Sequence, residues 1–357
     1  MVDGGVVHYA RPGSGFAVEI EGLRVALEWQ ASDQATATVV GESRLRLGDR
    51  NLEGIRLGAS AKLAGGRWEV TRLELTRARS ALALQGVVIP GETPRADLSA
   101  TGTLMLEELG KVLSSGEDSK GALRVSGRIL GDRLPPTFEG TLTLADAIVR
   151  RLPVMRAQAS LSIRPDKIEL IELHGQVGGG GTLSASGIYE FGNARYEGRM
   201  TLEEVSLEPA FRAIGWPWPL AGKVTGSVEG SGQAREVQAL SLRLDLSARG
   251  LRAKDGTREA DARLSGKAEG GILKIQRVTL GGRDGQAFAR GSLNLSTEAL
   301  ALSVSGRISD LAHGLWPWAV EGVAGQLSFA GTIVGTLKAP AFSGRVRGQA
   351  LSVKARD

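Results

Sequence analysis

Residues 121–140 read GALRVSGRILGDRLPPTFEG, and residues 325–344 read GQLSFAGTIVGTLKAPAFSG. Glycine, proline and phenylalanine landmarks recur between the two stretches at one offset of 204 residues, as from Gly127 to Gly331 and from Phe138 to Phe342. A fixed offset of this kind indicates an internal repeat. Apolar residues alternate with polar ones inside each copy, which is typical of a β-strand that presents one apolar face.

A second pair of stretches supports the repeat. Residues 65–75 (GGRWEVTRLEL) match residues 270–280 (GGILKIQRVTL) at an offset of 205, and the alternation changes phase inside both, which predicts a β-bulge. The Trp-Pro-Trp sequence at 216–218 recurs at 316–318, an offset of 100. We therefore predict about three and a half copies of a unit of roughly 100 residues. The predicted segments are 1–115 (partial at its start), 116–219, 220–320 and 321–357, the last being the start of a further unit.

Strict alternation, as at residues 240–248 (LSLRLDLSA), predicts half-buried strands that end at turns rich in glycine, proline and aspartate. Residues 178–181, four glycines, predict a hairpin loop. One short helix is predicted near the end of each of the first three segments, at 106–113, 206–214 and 309–315. The fold class predicted is mostly β: an elongated, antiparallel, repeating β-groove, meaning an open and curved sheet with one short helix per unit.

Composition narrows the classes of function. The chain has 357 residues, a net charge of +5 with acids and bases interspersed, 4% aromatic residues and no cysteine. The absence of cysteine excludes a disulfide framework and a thiolate metal site. No basic cluster interleaves with stacking aromatics, so we expect no nucleic-acid partner. No apolar run reaches the ~20 residues of a membrane span, and no signal peptide opens the chain.

Residues that carry catalysis are sparse. The histidines His8, His174 and His313 lie in unrelated segments, and the paired acids at 107–108 and 203–204 stand at predicted helix starts, which the helix dipole favours. The serines lie on polar strand faces and no Gly-x-Ser-x-Gly elbow occurs. We expect no enzymatic activity, no metal site and no cofactor.

The remaining candidate is the apolar strand face itself. A second sheet could cover it as a filled core, or an open sheet could leave it as a trough, and both fit the alternation. Our candidate lining residues share an apolar position on a predicted strand: Leu142, Leu144, Leu161, Ile163, Ile168, Leu170, Leu183, Leu242, Leu244, Leu246, Leu273, Ile275, Leu293, Leu295, Leu302 and Val304.

The cadence of glycines around alternating apolar residues, followed by residues 335–353 (GTLKAPAFSGRVRGQALSV), resembles the TamB family of translocation and assembly module subunits and the wider group of AsmA-like envelope proteins. The resemblance extends over essentially the whole chain, although the motif is a loose pattern of glycine, proline and leucine. It implies a periplasmic protein of Gram-negative bacteria, anchored in the inner membrane and built of repeating β-grooves. We expect this chain to be part of such a longer protein.

The resemblance also implies a function. Its first implication is a hydrophobic groove that shelters and conducts phospholipid between the inner and outer membranes, with acyl chains as the partner. An alternative is a scaffold for outer-membrane protein assembly and secretion, with an outer-membrane barrel as a partner that is met through a C-terminal domain, which we expect to lie outside this chain. A further alternative is a passive structural β-repeat with a dry core.

Overall fold

A computed structural model describes residues 2–11, 16–31, 34–47, 50–91, 94–113, 118–131, 136–213, 220–234, 236–253, 259–283, 285–309, 311 and 323–353. They form 21 strands and two helices. The chain divides into two compact units, an N-terminal unit (Met1–Leu173) and a C-terminal unit (His174–Asp357), and each is described by itself.

The N-terminal unit is an antiparallel meander in which each strand pairs with the next, from β1 to β10. Its elements are β1 (Val2–Arg11), β2 (Phe16–Ala31), β3 (Gln34–Leu47), β4 (Arg50–Ala64), β5 (Arg67–Arg77), β6 (Ser80–Ile89), β7 (Arg95–Met105), α1 (Leu106–Leu113), β8 (Lys120–Gly131), β9 (Thr137–Val149) and β10 (Leu152–Ile163). Strand β11 (Lys167–Val177) contains the division between the units.

The C-terminal unit repeats this architecture, with consecutive antiparallel pairing from β12 to β21. Its elements are β12 (Gly181–Glu190), β13 (Arg195–Ser206), α2 (Leu207–Ala213), β14 (Leu220–Gln233), β15 (Glu236–Ala253), β16 (Ala260–Glu269), β17 (Ile272–Gly282), β18 (Gly285–Asn294), β19 (Ala299–Ile308), β20 (Val323–Thr336) and β21 (Pro340–Val353). In neither unit do the first and last strands pair with each other. The prediction of a mostly β, antiparallel, open sheet is thereby confirmed.

Two of the three predicted helices are confirmed, because α1 and α2 occupy the predicted positions. The third, at 309–315, lies almost wholly outside the described residues, as do both Trp-Pro-Trp sequences. No boundary between the predicted segments cuts a strand. Seven strands lie in segment 1–115, six each in 116–219 and 220–320, and two in 321–357. The segment boundaries themselves stay a prediction.

The predicted bulges are present in both stretches. The register between β5 and β6 shifts between Val70 and Leu73, and that between β17 and β18 shifts between Ile275 and Val278. A bulge inserts an extra residue and restores the apolar phase, so side chains on both sides of it point to the same face. The predicted glycine loop is also observed, as the turn at 178–180 between β11 and β12.

Helix α1 is attached to the sheet by both polar and apolar contacts. The Glu108 carboxylate accepts hydrogen bonds from the Arg79 backbone N–H (3.2 Å) and the Ser80 hydroxyl (2.7 Å), while Ser80 Oγ accepts one from the Met105 N–H (2.9 Å). Leu106 packs against a buried cluster made of Leu144, Ala147 and Val154. These contacts place the helix at one end of strands β7 to β10.

Candidate functional site: an apolar sheet face

The C-terminal unit presents one continuous apolar face. In antiparallel sheets, directly opposed residues project to the same face, so the pairing register defines rows across the strands. One row passes through all ten strands as Leu183, Leu202, Gly226, Leu246, Leu264, Val278, Ala289, Val304, Gly331 and Gly344.

Two further rows run beside the first on the same face. One is Ala185, Met200, Val228, Leu244, Gly266, Ile275, Gly291, Leu302, Ile333 and Phe342. The other is Gly187, Gly198, Gly230, Leu242, Ala268, Leu273, Leu293, Leu300, Gly335 and Pro340. None of the three rows contains a charged or polar side chain.

The N-terminal unit has a matching face over strands β2 to β10. Its longest rows are Val25, Val39, Ala59, Leu73, Leu84, Ala100, Gly127, Gly140 and Leu161, and Leu27, Ala37, Ala61, Val70, Gly86, Leu98, Ile129, Phe138 and Ile163. The two units therefore carry the same kind of surface.

Most of these side chains are half-buried rather than buried. Leu242, Leu244 and Leu246 are all of intermediate exposure, although they occupy the middle of a sheet face. Apart from neighbouring strands, helix α2 is the described element that packs extensively on the sheet of the C-terminal unit, where it contacts β13 and β14. Buried side chains cluster near the ends of the strands, as at Val205, Val224 and Ala260. Within the described residues, no second sheet covers the face.

The candidate lining residues are distributed as follows. On the apolar face of the N-terminal unit lie Leu142, Leu144, Leu161 and Ile163, and on that of the C-terminal unit lie Leu183, Leu242, Leu244, Leu246, Leu273, Ile275, Leu293, Leu302 and Val304. Ile168 and Leu170 are half-buried and share one side of β11 by alternation. Leu295 differs, because it lies in the turn after β18, where its N–H donates to the Gly271 carbonyl (2.8 Å).

Several residues of the face were not among the predicted ones. In the N-terminal unit these include Leu73, Leu84 and Leu98, and in the C-terminal unit Leu264 and Ile333. Alternation within their strands and the 205-residue offset from Leu73 to Val278 are signals that could have found them. The glycines of the rows are in phase with the apolar residues of their strands, as Gly266 is with Leu264 and Ala268, so alternation could have placed them as well.

The opposite face of each sheet is polar, and many of its charges are paired. In the N-terminal unit Arg128 binds Asp97 at 2.7 Å, and in the C-terminal unit Arg199 binds Glu229 at 2.9 Å. A hollow of about 590 Å³ lies on this polar face, with Asp245, Asp261, Arg249, Arg263 and Phe288 among its lining residues. Its two acids and two bases give it no net preference for a charged ligand.

One carboxyl group has a shifted pKa. Hydrogen bonding from its own backbone N–H at the start of α1 holds the pKa of Glu107 below its usual value. The backbone of Gly121 and the charges of Arg79 and Lys120 act in the same direction, while partial burial acts against them. The lowered pKa of Glu107 is the ordinary effect of a helix start and of nearby cations on a carboxylate, and it does not indicate a reactive group.

The described residues contain no cluster of three or more His, Asp or Glu side chains arranged to hold a metal ion. Among the helices described, none is long and apolar enough to cross a membrane. No protein family model, no curated protein and no solved structure matches the chain.

Proposed function

We propose that this protein is a periplasmic hydrophobic-groove protein that shelters phospholipid acyl chains and conducts them between the inner and outer membranes of a Gram-negative envelope. The observation that carries the proposal is the apolar face of the C-terminal unit, which crosses ten strands without a charged side chain and is left half-exposed. The resemblance to TamB and AsmA-like envelope proteins motivates the location, with the full-length protein anchored in the inner membrane.

The energetics favour such a role. Each methylene removed from water contributes ~0.8 kcal/mol, so sheltering one long acyl chain is worth on the order of 10 kcal/mol. Ten strands spaced ~4.8 Å apart extend the face over about 40 Å. Because the rows are uninterrupted, a chain that moves from strand to strand stays in contact with apolar atoms throughout, and no reaction is required.

Mass spectrometry of an organic extract of the purified protein tests the proposal. We expect phospholipid at a constant molar ratio to protein, and none from a soluble protein of similar size purified in parallel from the same cells. An extract without lipid would contradict the proposal and favour a dry structural repeat. An unfolded outer-membrane barrel segment that copurifies in place of lipid would favour the assembly scaffold instead.

A further inference from the structure

The five strands β17 to β21 carry only positive charges. Their charged residues are Lys274, Arg277, Arg290, Arg307, Arg345 and Arg347, and none of the five strands contains an aspartate or glutamate. We refer to these six residues as the cation set. The asymmetry is local, since β15 and β16 contain both acids and bases, among them Asp245 and Asp261.

The whole cation set lies on one face of the sheet, opposite the apolar face. Arg307 is directly opposed to Ser328, and Ser328 to Arg347, so these three residues project to the same face. Gly306 and Ile308, the chain neighbours of Arg307, project to the other, apolar face. Arg290 stands between Ala289 and Gly291, which belong to the apolar rows, so its side chain projects to the polar side. Lys274, opposed to Lys267, and Arg345, opposed to Ala330, are placed likewise.

These cations are exposed, and none has an acidic partner among the described residues. All six are exposed, and no ion pair joins any of them to a described carboxylate. Elsewhere in the same unit, Lys223 binds Glu204 at 3.5 Å and Lys338 binds Glu298 at 3.5 Å. A face that served only for solubility would be expected to mix the two signs, as the rest of the chain does.

Exposed apolar side chains lie among the cations. Phe288 is 45% exposed and Val334 is 46% exposed, and the register places both on the polar face. Phe288 shares a row with Arg345. A surface with dispersed cations and a few apolar side chains is suited to the interface of an anionic bilayer, where phosphates attract the cations and apolar groups enter the headgroup layer.

The same observations argue against two other anionic partners. A binder of single-stranded nucleic acid stacks successive bases on aromatic side chains, and Phe288 is the only aromatic that these five strands place on this face. A site for one small anion would converge several cations on one point. Here the cations are spread over about 20 Å across the five strands and about 20 Å along them, given the usual spacing between strands and between alternate residues of a strand.

We propose that the polar face of β17–β21 docks on the surface of a bilayer rich in anionic phospholipid, while the apolar face of the same sheet remains turned away from that surface. The proposal goes beyond acyl-chain sheltering, because it concerns the other side of the sheet and a bilayer rather than a single lipid. The two can therefore fail separately. Lipid can be present in the extract without binding to vesicles, and vesicles can be bound by a protein that carries no lipid.

Vesicle flotation of the full chain tests the docking surface. We compare vesicles of phosphatidylcholine alone with vesicles that also contain phosphatidylglycerol, at increasing salt. Each Lys or Arg near an anionic surface is worth ~1 kcal/mol, so the triple variant Arg290→Gln, Arg345→Gln, Arg347→Gln is expected to bind the anionic vesicles about a hundredfold more weakly. Salt should weaken the binding of the parent, as the screening length shortens.

Matched controls keep the test specific. Arg56→Gln, Arg124→Gln and Arg156→Gln together remove the same charge from exposed positions of the N-terminal unit, and this variant should bind like the parent. Replacing Arg290, Arg345 and Arg347 by lysine preserves their charge and should preserve binding. Circular dichroism establishes that each variant is folded.

Four outcomes would overturn the proposal: a glutamine triple variant that binds like the parent, an equal loss in the N-terminal control, binding by the parent that does not depend on phosphatidylglycerol, or failure of the parent to bind. Tighter binding of a single-stranded oligonucleotide at the same salt would make this face a nucleic-acid interface instead.

Discussion

The aromatic ring of Phe138 lies over Gly127 on the neighbouring strand, so closely that a Cβ added to Gly127 would stand 2.8 Å from Cε2 of the ring. The same arrangement recurs between Phe342 and Gly331, where the corresponding separation would be 2.9 Å. The two phenylalanines and the two glycines are the landmarks of the sequence repeat. Packing therefore explains why these glycines and phenylalanines recur together, because a ring can lie against the backbone of a strand only where the side chain beneath it is missing.

The first prediction concerns this contact. Gly127→Ala should lower the free energy of unfolding by ~1–3 kcal/mol, because the new methyl group would overlap the ring and come too close to the Glu139 carbonyl oxygen, at 2.4 Å. Gly58→Ala is the control, since a Cβ at Gly58 meets nothing within 4 Å. Urea denaturation measures both. Equal stability of the two variants would show that the ring does not depend on the glycine.

The second prediction concerns the attachment of α1. Ser80→Ala removes an acceptor for the Met105 N–H and a donor to Glu108, both in a partly buried position. We expect a loss of ~1–3 kcal/mol in the free energy of unfolding, as for other unsatisfied buried polar groups. Ser186→Ala, at an exposed position of β12, should change stability little. A loss in Ser80→Ala no larger than in Ser186→Ala would mean that water replaces these hydrogen bonds.

The third prediction is a dependence of stability on acid. Because the pKa of Glu107 is lower in the folded chain than its ordinary value, the unfolded state binds the proton more readily. The stabilisation is therefore complete above the ordinary glutamate pKa of ~4.3 and is lost as the pH falls through the folded value. The difference in urea midpoint between the parent and Glu107→Gln should shrink as the pH falls. Glu139→Gln, at an exposed position of β9, is the matched control. A difference that stays constant with pH would contradict the assignment.

The fourth prediction tests whether the apolar face is an open path. Leu244 is half-buried between Val228 and Gly266, whereas Arg243 is exposed on the polar face. Leu244→Arg should abolish lipid capture by photocrosslinking at β15, because a lone cation is strongly disfavoured among acyl chains. Its melting temperature should fall only slightly, since the long side chain can reach solvent along an uncovered face. Arg243→Glu should leave lipid capture unchanged.

A comparison with a buried position makes this test decisive. Val177 is completely buried, so Val177→Arg should unfold the protein. If Leu244→Arg melts as readily as Val177→Arg, the face is a dry core. If it stays folded and still captures lipid like the parent, Leu244 does not line the path.

Much of the fold followed from local pattern. Period-two alternation predicted strands such as β15, and the phase change predicted the bulge between Ile275 and Val278. The segment 106–113 was predicted to be helical, and α1 occupies it. These features depend only on neighbouring residues. Successive side chains of a strand point to opposite faces, and a bulge shifts that alternation by one residue. The exception was Leu295, where the chain turns one residue before the alternation ends.

The tertiary structure decided what pattern could not. Alternation places Leu244 on an apolar face, but only the pairing register aligns it with Val228 and Ile275. Only the contacts between elements show that no second described sheet covers these residues. The cation set is likewise invisible as a cluster in the sequence, because Lys274 and Arg347 are 73 residues apart along the chain. The physical reason is the same in both cases. A strand determines which way its own side chains point, whereas a surface is made by hydrogen-bonded neighbours, and its exposure depends on what else packs against it.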